Sequence, residues 1–464
     1  MPWFACSRWQ DVGVKHSTRL RLSAWRVLVV FLLSVSQVSA SERPHVLFIL
    51  ADDLGYGDLG CYGCEDIRTP NLDRLATEGV RFTDFYANAA VCSPTRAAFL
   101  TGRYQQRIDL DDALYYQEKG RGLPVDGETL ADSLKKAGYA TALAGKWHLG
   151  YDEGRRPNQQ GFDRFFGLLG GNHHYFKHMD RIGIPDLFEN ETQIEREGYS
   201  TDLISDEAIR FLRELMPTKP TFLFLSYNAP HFPFQGPEDR DKPVQPKRKN
   251  WQQGDRSTYV AMVESMDKGI GRVLAELDRL GLRRQSLVVF TSDNGGDVHS
   301  RNAPLRDHKG SLWEGGVRVP CIARWPGVLP AGEETRQVGI TMDWSATIRR
   351  SAGLLKDESF EDGIDLMPML TGRKQVRERT LFWRRIRGPV RRKTPEGRAV
   401  RHGKWKWVEK ANGERFLGDL QNDVGEMNNL IGDRPDMANK LTRLLDEWER
   451  QFPRWYDKAV SGKD

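Results

Sequence analysis

Val46-Leu47-Phe48-Ile49-Leu50-Ala51-Asp52-Asp53 begins as an unbroken apolar run and ends on two carboxylates. Apolar residues at every position, not at alternate ones, mark a strand buried on both faces, as in a parallel sheet. Thr221-Phe222-Leu223-Phe224-Leu225 and Leu287-Val288-Val289-Phe290 repeat the pattern. Helical segments lie between them. Thr69-Pro70-Asn71-Leu72 reads as a helix start with Thr69 as N-cap and Pro70 in the first turn, closed by Gly79. Further helices are expected near 128–138, 201–215 and 257–281. The expected fold is α/β, a large, mostly parallel sheet flanked by helices, over residues 41–370. Ligands of such sheets collect beyond the carboxyl ends of the strands. The run 287–290 leads into Thr291-Ser292-Asp293-Asn294-Gly295-Gly296, so two acidic strand ends are expected on one edge. Asp and Asn also favour ordinary turns, but two such pairs suggest a hard all-oxygen site, better suited to Ca²⁺ or Mg²⁺ than to zinc.

A second stretch reads Cys92-Ser93-Pro94-Thr95-Arg96-Ala97-Ala98-Phe99-Leu100-Thr101-Gly102-Arg103. Ser93 is the expected N-cap, Pro94 belongs to the first turn, and Gly102 suits the helix end. Cys92 then sits at a helix N-terminus, where free N–H groups and the dipole favour negative charge. Arg96, one turn on, leans back over the same spot. Taken alone, the cysteine is also compatible with a buried structural thiol or a helix-terminal thiolate. The twelve residues together resemble the signature of the formylglycine-dependent (type I) sulfatases of the alkaline phosphatase superfamily. That signature is C-x-P-x-R, a small-residue helix, then T-G-R. The resemblance implies that Cys92 is converted to 3-oxoalanine (formylglycine) by a separate formylglycine-generating maturation enzyme.

Four more segments extend the resemblance over roughly residues 44–330. Asp52, Asp53, Asp293 and Asn294, with the modified Cys92, match the family's ligands for one Ca²⁺. Lys146-Trp147-His148 follows the apolar run 140–144; in extended backbone Lys146 and His148 share a face while Trp147 packs behind. The family parallel has Lys146 contacting sulfate and His148 bonding the formylglycine hydrate. His231, held between prolines in Ala229-Pro230-His231-Phe232-Pro233, matches a sulfate contact and proton donor. Lys309, in Lys309-Gly310-Ser311-Leu312-Trp313-Glu314-Gly315-Gly316-Val317-Arg318, matches a second ammonium at the sulfate. The implied catalytic set is Cys92, Arg96, Lys146, His148, His231, Asp293 and Lys309. Asp293 activates one hydroxyl of the hydrate, and His231 or Lys309 protonates the leaving alcohol. A further substrate contact, Asn172 or His173, follows Gly161-Phe162-Asp163 without a clear match. Rival readings are a phosphate or phosphonate ester hydrolase of the same superfamily, and a sulfated-polysaccharide-binding protein in which Cys92 stays unmodified.

Residues 1–40 read as a secretory signal peptide: five basic residues, an apolar stretch at 27–35, and Val38-Ser39-Ala40 as cleavage site. The apolar stretch is too short for a membrane span of about twenty residues, so no stable membrane insertion is expected. The expected location is outside the cell or in the periplasm, or the lysosome of a eukaryote. The leader holds five of the Lys/Arg and one Asp, so the formal +5 of the whole chain falls to about +1 without it. Global basicity is therefore no argument for nucleic acid, and none is expected as a partner. Cys61, Cys64, Cys92 and Cys321 remain, too few for a disulfide framework, and Cys61-x-x-Cys64 reads as structural.

Beyond residue 370 the pattern changes. Residues 399–408 and 415–420 suggest a small antiparallel sheet, and 435–452 an amphipathic helix, giving a C-terminal subdomain over 371–464. Residues 373–410 hold fifteen Lys/Arg against three Asp/Glu, interleaved with Trp383, Trp405 and Trp407. An expectation follows that Arg391, Arg392 and Lys393 guide a polyanion and the tryptophans stack on sugar rings. The substrate expected is a sulfated carbohydrate in preference to a small aryl sulfate.

Overall fold

The computed structural model describes residues 43–116, 118–242, 251, 253–355, 359–360, 362–386 and 395–452. The leader, the terminal residues 453–464 and Arg391-Arg392-Lys393 lie outside the described residues.

The first apolar run is β1 (His45–Ala51), buried along its whole length. Period-two alternation sends Val46, Phe48 and Leu50 to one face and Leu47, Ile49 and Ala51 to the other, and both faces are core. The order continues through α1 (Pro70–Thr77), β2 (Val80–Phe82), β3 (Phe85–Tyr86), α2 (Cys92–Thr101), α3 (Leu130–Lys136), β4 (Ala140–Lys146) and β5 (Arg164–Leu168). It then runs through β6 (Phe188–Glu189), β7 (Thr192–Gln193), α4 (Ser200–Leu215), β8 (Thr221–Ser226), α5 (Arg256–Arg279) and β9 (Ser286–Ser292). Next come α6 (Glu314–Val317), β10 (Cys321–Arg324) and β11 (Glu333–Thr335). Among the described residues one ten-stranded sheet has the order β11-β2-β10-β9-β1-β8-β4-β5-β6-β7. Its centre, β9-β1-β8-β4-β5, is parallel, and antiparallel pairs lie outside it. The mostly parallel α/β expectation holds.

Helices cover both faces. α2 and α3 pack on one through Phe99, Leu130 and Leu134, with Phe99 stacked on Phe48 at 3.9 Å between ring centres. α1, α4 and α5 cover the other through Leu72, Phe211, Met262 and Ile270. Removing a large aromatic such as Phe99 from this interior would cost about 3–5 kcal/mol. The helix starts differ in detail from expectation. Pro70 does occupy the first turn of α1, but the Thr69 hydroxyl caps no helix N–H. It donates to Asp73 Oδ1 and accepts from the Gly60 N–H, joining the preceding turn to the helix. Cys61 and Cys64 are free thiols.

After β12 (Gly339–Ile340) and α7 (Thr341–Ser351), the short pair β13 (Ser359–Phe360) and β14 (Gly363–Ile364) and the turn α8 (Met367–Leu370) lead into the C-terminal part. There β15 (Thr380–Ile386), β16 (Pro395–His402), β17 (Trp405–Lys410) and β18 (Arg415–Asp419) form an antiparallel meander backed by α9 (Pro435–Glu449). Residues 399–408 are thus two strands, because Gly403 turns the chain at a φ of 57°. Trp383 and Trp407 are core, and the Trp383 indole donates to the Ala87 carbonyl at 2.9 Å. They are not platforms for sugar rings. Much of the basic excess is paired: Arg384 with Asp111, Arg398 with Glu409 and Asp446, Arg401 with Asp84, Lys406 with Glu314 and Glu426. In sequence these cations look like a polyanion track, but in the fold they bind the C-terminal sheet to its neighbours.

Candidate active site

β1 and β9 are paired with Ala51 opposite Ser292, so their acidic ends leave the sheet side by side. The Asp53 N–H donates to Asp293 Oδ1 at 3.3 Å, and Asn294 Nδ2 donates to Asp53 Oδ1 at 2.7 Å. Asp52, Asp53, Asp293 and Asn294 are all buried. α2 brings its N-terminus to the same place. Single ligand atoms of Asp52, Cys92 and Asp293 lie within 4.8 Å of one another, and so do those of Asp52, Asp53 and His231.

α2 starts two residues earlier than its sequence suggests. Val91 is the flanking residue, Cys92 the first helical one, and Ser93 is not the N-cap. The Ser93 hydroxyl instead accepts the Leu114 N–H at 3.1 Å. Pro94 still lies in the first turn, where a missing N–H breaks no helical bond. Gly102 ends the helix in the left-handed conformation at a φ of 73°, as expected.

Two buried cations, Arg96 and Lys146, and the partly buried Lys309 meet the three carboxylates. Arg96 donates to Asp293 Oδ2 from Nε (3.0 Å) and pairs with it through a second nitrogen at 2.8 Å. Lys146 Nζ lies 2.6 Å from Asp52 Oδ2, and Lys309 Nζ 2.6 Å from Asp53 Oδ2. His231 Nε2 is 3.4 Å from the same Asp53 oxygen, while its Nδ1 donates to the Phe232 carbonyl at 2.7 Å. Burial opposes ionisation of Asp53, yet His231 and Lys309 hold it down to about 2. Burial, joined by Asp293, raises Asp52 well above the usual carboxylate range despite Lys146. Burial depresses both imidazoles far below their ordinary value, with Lys146 adding to the effect on His148 and Lys309 to that on His231. Cys92 is pushed up by burial against Lys146 and Lys309, so residue 92 as encoded is a thiol, not a helix-end thiolate.

Lys146 and His148 do reach one site, but not by strand alternation. β4 stops at Lys146, and His148 has a left-handed φ of 59° that turns its ring. His148 Nε2 donates to the Leu114 carbonyl at 2.8 Å, and its Nδ1 is buried with no hydrogen-bond partner among the described residues. Trp147 packs in the core, as expected. Of the two uncertain contacts, Asn172 lines the cleft, whereas His173 is buried on Ser200 Oγ (2.8 Å) and the Asp186 carbonyl (3.2 Å). His173 is therefore a structural residue. Sequence reading missed Ser226, whose hydroxyl accepts from Arg96 and donates to the Lys146 carbonyl. It ends β8 next to β1, so the rule that picked Asp52 and Asp293 would have found it. The cleft over Cys92 has a volume of about 790 Å³, and β17 supplies part of its wall through Val408, Glu409 and Lys410.

The donors suit a hard cation. Asp52 Oδ1 and Asn294 Oδ1 are buried oxygens that accept no hydrogen bond from the described residues. Such orphans are costly unless something else satisfies them. Carboxylate and amide oxygens in that arrangement fit Ca²⁺.

A parallel sheet with acidic strand ends, a cysteine opening a helix, and three cations around them defines an anionic-ester hydrolase of the alkaline phosphatase superfamily type. The chain belongs to the sulfatase family, and is a sulfuric ester hydrolase: the family model "Sulfatase" matches residues 44–354, and "N-sulphoglucosamine sulphohydrolase, C-terminal" matches 307–451. Mouse arylsulfatase J is 36% identical over 339 residues, covering 71% of this chain and only 56% of that relative. Dog N-acetylgalactosamine-6-sulfatase is 34% identical over 391 residues, covering 78% and 73%. A solved structure, Ps i-CgsB in complex with k-i-k-neocarrahexaose, is 32% identical with a TM-score of 0.79, covering 88% of this chain and 93% of its own.

Proposed function

We propose that this protein releases inorganic sulfate from a sulfated carbohydrate, with formylglycine formed at Cys92 and one Ca²⁺ held by Asp52, Asp53, Asp293, Asn294 and residue 92. The observation that carries the reading is the convergence at Cys92. The first residue of a helix lies within ligand distance of Asp52 and Asp293, with Lys146 and Lys309 contributing to its surroundings. Formylglycine, once made, supplies an aldehyde hydrate: one hydroxyl to act as nucleophile and a second that allows the site to reset. Ca²⁺ supplies polarisation of a sulfate oxygen and neutralises charge.

The chain's own groups do the rest. Asp293, fixed by Arg96, is the assigned acceptor for the proton of the attacking hydroxyl. With Asp52 ionised as a ligand, Asp52, Asp53 and Asp293 balance Arg96, Lys146 and Lys309, so a bound divalent cation would leave the pocket positive and receptive to an anionic ester. Lys309, kept cationic mainly by Asp53 against the effect of burial, offsets charge growing in the transition state together with Lys146. Lys309 or His231 is the assigned proton donor to the leaving oxygen, His231 only once a proton is taken up at Nε2, since its Nδ1–H is held by the Phe232 carbonyl. His148, with a bare Nδ1, is the assigned base for the remaining hydroxyl.

A carbohydrate substrate is favoured by the cleft volume, which falls in the upper part of the roughly 300–1,000 Å³ usual for ligand pockets. It is favoured too by the sugars named for the N-acetylgalactosamine-6-sulfatase relative and the neocarrahexaose complex. Among the described residues no helix is long and apolar enough to cross a membrane; export, with removal of residues 1–40, is part of the proposal. The test is ion chromatography of products from matured protein given a sulfated sugar, a nitrophenyl sulfate and the matching phosphate esters. Sulfate release from the sugar is expected. Faster phosphate release, or retention of polymer without turnover, would overturn the reading.

A further inference from the structure

Two loops wall the cleft above Cys92, and the sulfate chemistry leaves them without a role. The first, residues 112–116, is anchored twice through Leu114: its N–H to Ser93 Oγ at 3.1 Å, its carbonyl to His148 Nε2 at 2.8 Å. Immediately beyond that double anchor, Tyr115 and Tyr116 line the cleft. Tyr116 is 45% exposed and meets Tyr151 edge-on at 5.0 Å. The second loop is the turn 180–184. Its backbone is closed by Asp180 N–H to the Ile184 carbonyl (2.8 Å) and Gly183 N–H to the Asp180 carbonyl (3.0 Å). Asp180 Oδ1 also accepts the N–H groups of Ile182 and Ile184, each at 2.9 Å. This braced turn carries Arg181, whose guanidinium lies 5.6 Å from the Tyr115 ring centre, and Ile182, 54% exposed. Both line the same cleft.

Large exposed apolar side chains are ordinarily scattered singly over a surface. Here a tyrosine and an isoleucine stand at one cleft, on loops held by specific hydrogen bonds, with a guanidinium over a neighbouring ring. Aromatic rings offer broad apolar area to the C–H face of a sugar, and a guanidinium forks onto carboxylate or sulfate oxygens. Building on the sulfatase reading, we propose that these loops form a second sugar subsite. Tyr115, Tyr116 and Ile182 receive the ring next to the sulfated one, and Arg181 recognises an anionic group on it.

The test compares wild type, Tyr116→Ala and Arg181→Gln, all matured, on nitrophenyl sulfate, a sulfated monosaccharide, and sulfated di- to hexasaccharides whose second ring is neutral, carboxylated or sulfated. The readout is the ratio of oligosaccharide to aryl sulfate kcat/KM. In the wild type it should rise from mono- to disaccharide. Tyr116→Ala should lower it about two- to tenfold, through KM, whichever second ring is present. Arg181→Gln should lower it only where that ring is acidic, with a carboxylate and a sulfate distinguished by the two acidic probes. A wild type indifferent to chain length, or variants with an unchanged ratio, would overturn the subsite. No sulfate release from any substrate, the aryl sulfate included, would overturn the sulfatase reading and the subsite with it.

Discussion

Two clusters of buried charge draw on one short segment, Lys309–Arg318. At its start Lys309 joins Asp53, Asp52, Asp293, Lys146 and Arg96 at the sheet edge. Five residues further on, Glu314 opens α6, and it and Arg318 belong to a second cluster with Lys406, Glu426, Arg401 and Tyr86. There the Glu314 carboxylate accepts from Lys406 Nζ at 2.8 Å, the Tyr86 hydroxyl at 2.6 Å and Arg318 at 3.2 Å. The Glu314 N–H donates to Glu426 Oε2 at 2.6 Å, and Arg401 donates to the Tyr86 hydroxyl. Both clusters are nearly charge-balanced. The first borders a large cleft and keeps carboxylate and amide oxygens with no hydrogen bond from the described residues. In the second, both oxygens of the central carboxylate are taken, and its donors tie β17, β16 and β3 to α6. Glu426 Oε1 also accepts no hydrogen bond, but it lies 3.1 Å from Lys406 Nζ. Similar ingredients thus make a reactive site where spare oxygens lie beside a cleft, and a joint where each oxygen faces a cation or donor. Lys309–Arg318 therefore combines an end at the proposed sulfate site with an architectural end.

That contrast breaks first at Cys92→Ala. Turnover should fall by on the order of 10⁴–10⁶-fold, while the thermal midpoint stays close to wild type. A drop in stability that accounts for the lost activity would erase the distinction between the clusters. Asp293→Ala should act on both quantities. Ca²⁺ measured by elemental analysis should disappear, and Arg96, left as an uncompensated buried cation, should cost about 3–5 kcal/mol in denaturant unfolding. Full activity after thorough chelation would remove the metal from the account.

Lys406→Met should show the opposite balance to Cys92→Ala. Glu314 loses its ammonium partner in the interior, so stability should drop by about 3–5 kcal/mol while sulfate release per folded molecule changes little. Loss of activity without loss of stability would place the second cluster in the chemistry. The subtlest difference lies in pH. Burial raises Glu426 to about 7, with Glu314 pushing the same way and Lys406 opposing. A carboxyl whose folded pKa lies above its unfolded 4.5 holds its proton more tightly in the fold. Its contribution is thus present below about 4.5 and lost as pH rises through about 7. Glu426→Gln should therefore gain on wild type by about 1–3 kcal/mol between those limits, read from thermal midpoints across the range. A pH-independent difference between the two proteins would contradict this.

How much of this was legible in the sequence follows the range of the interactions. Continuous apolar runs fixed β1, β8 and β9, because burial on both faces writes itself into every residue. The strand-end rule then placed Asp52, Asp53, Asp293 and Asn294 together, since parallel neighbours end on the same edge. Local capping was less readable. Ser93 and Thr69 carry hydroxyls that suit an N-cap, but groups other than the first-turn N–H claim them: the Leu114 N–H for Ser93, the Gly60 N–H and the Asp73 carboxylate for Thr69. His148 was placed correctly for an incorrect reason, because a single left-handed residue replaces the alternation of a strand. Within the basic run 373–410, Arg384, Arg401 and Lys406 look free in one dimension, whereas Asp111, Asp84, Glu314 and Glu426, from other parts of the chain, meet them in the fold; Arg391, Arg392 and Lys393 lie outside the described residues. The cleft loops carrying Tyr116 and Arg181 gave no signal in sequence, since their value depends on lying beside one another.

The central claim is that the sheet-edge cluster works on a modified residue 92, and the mass of the peptide carrying that residue, taken from active protein, tests it most directly. The expected mass is that of a chain in which the CH₂SH of Cys92 has become CHO, or its hydrate, with labelling by an aldehyde probe that scales with specific activity. Fully active protein whose residue 92 is an unmodified, alkylatable thiol would contradict the claim.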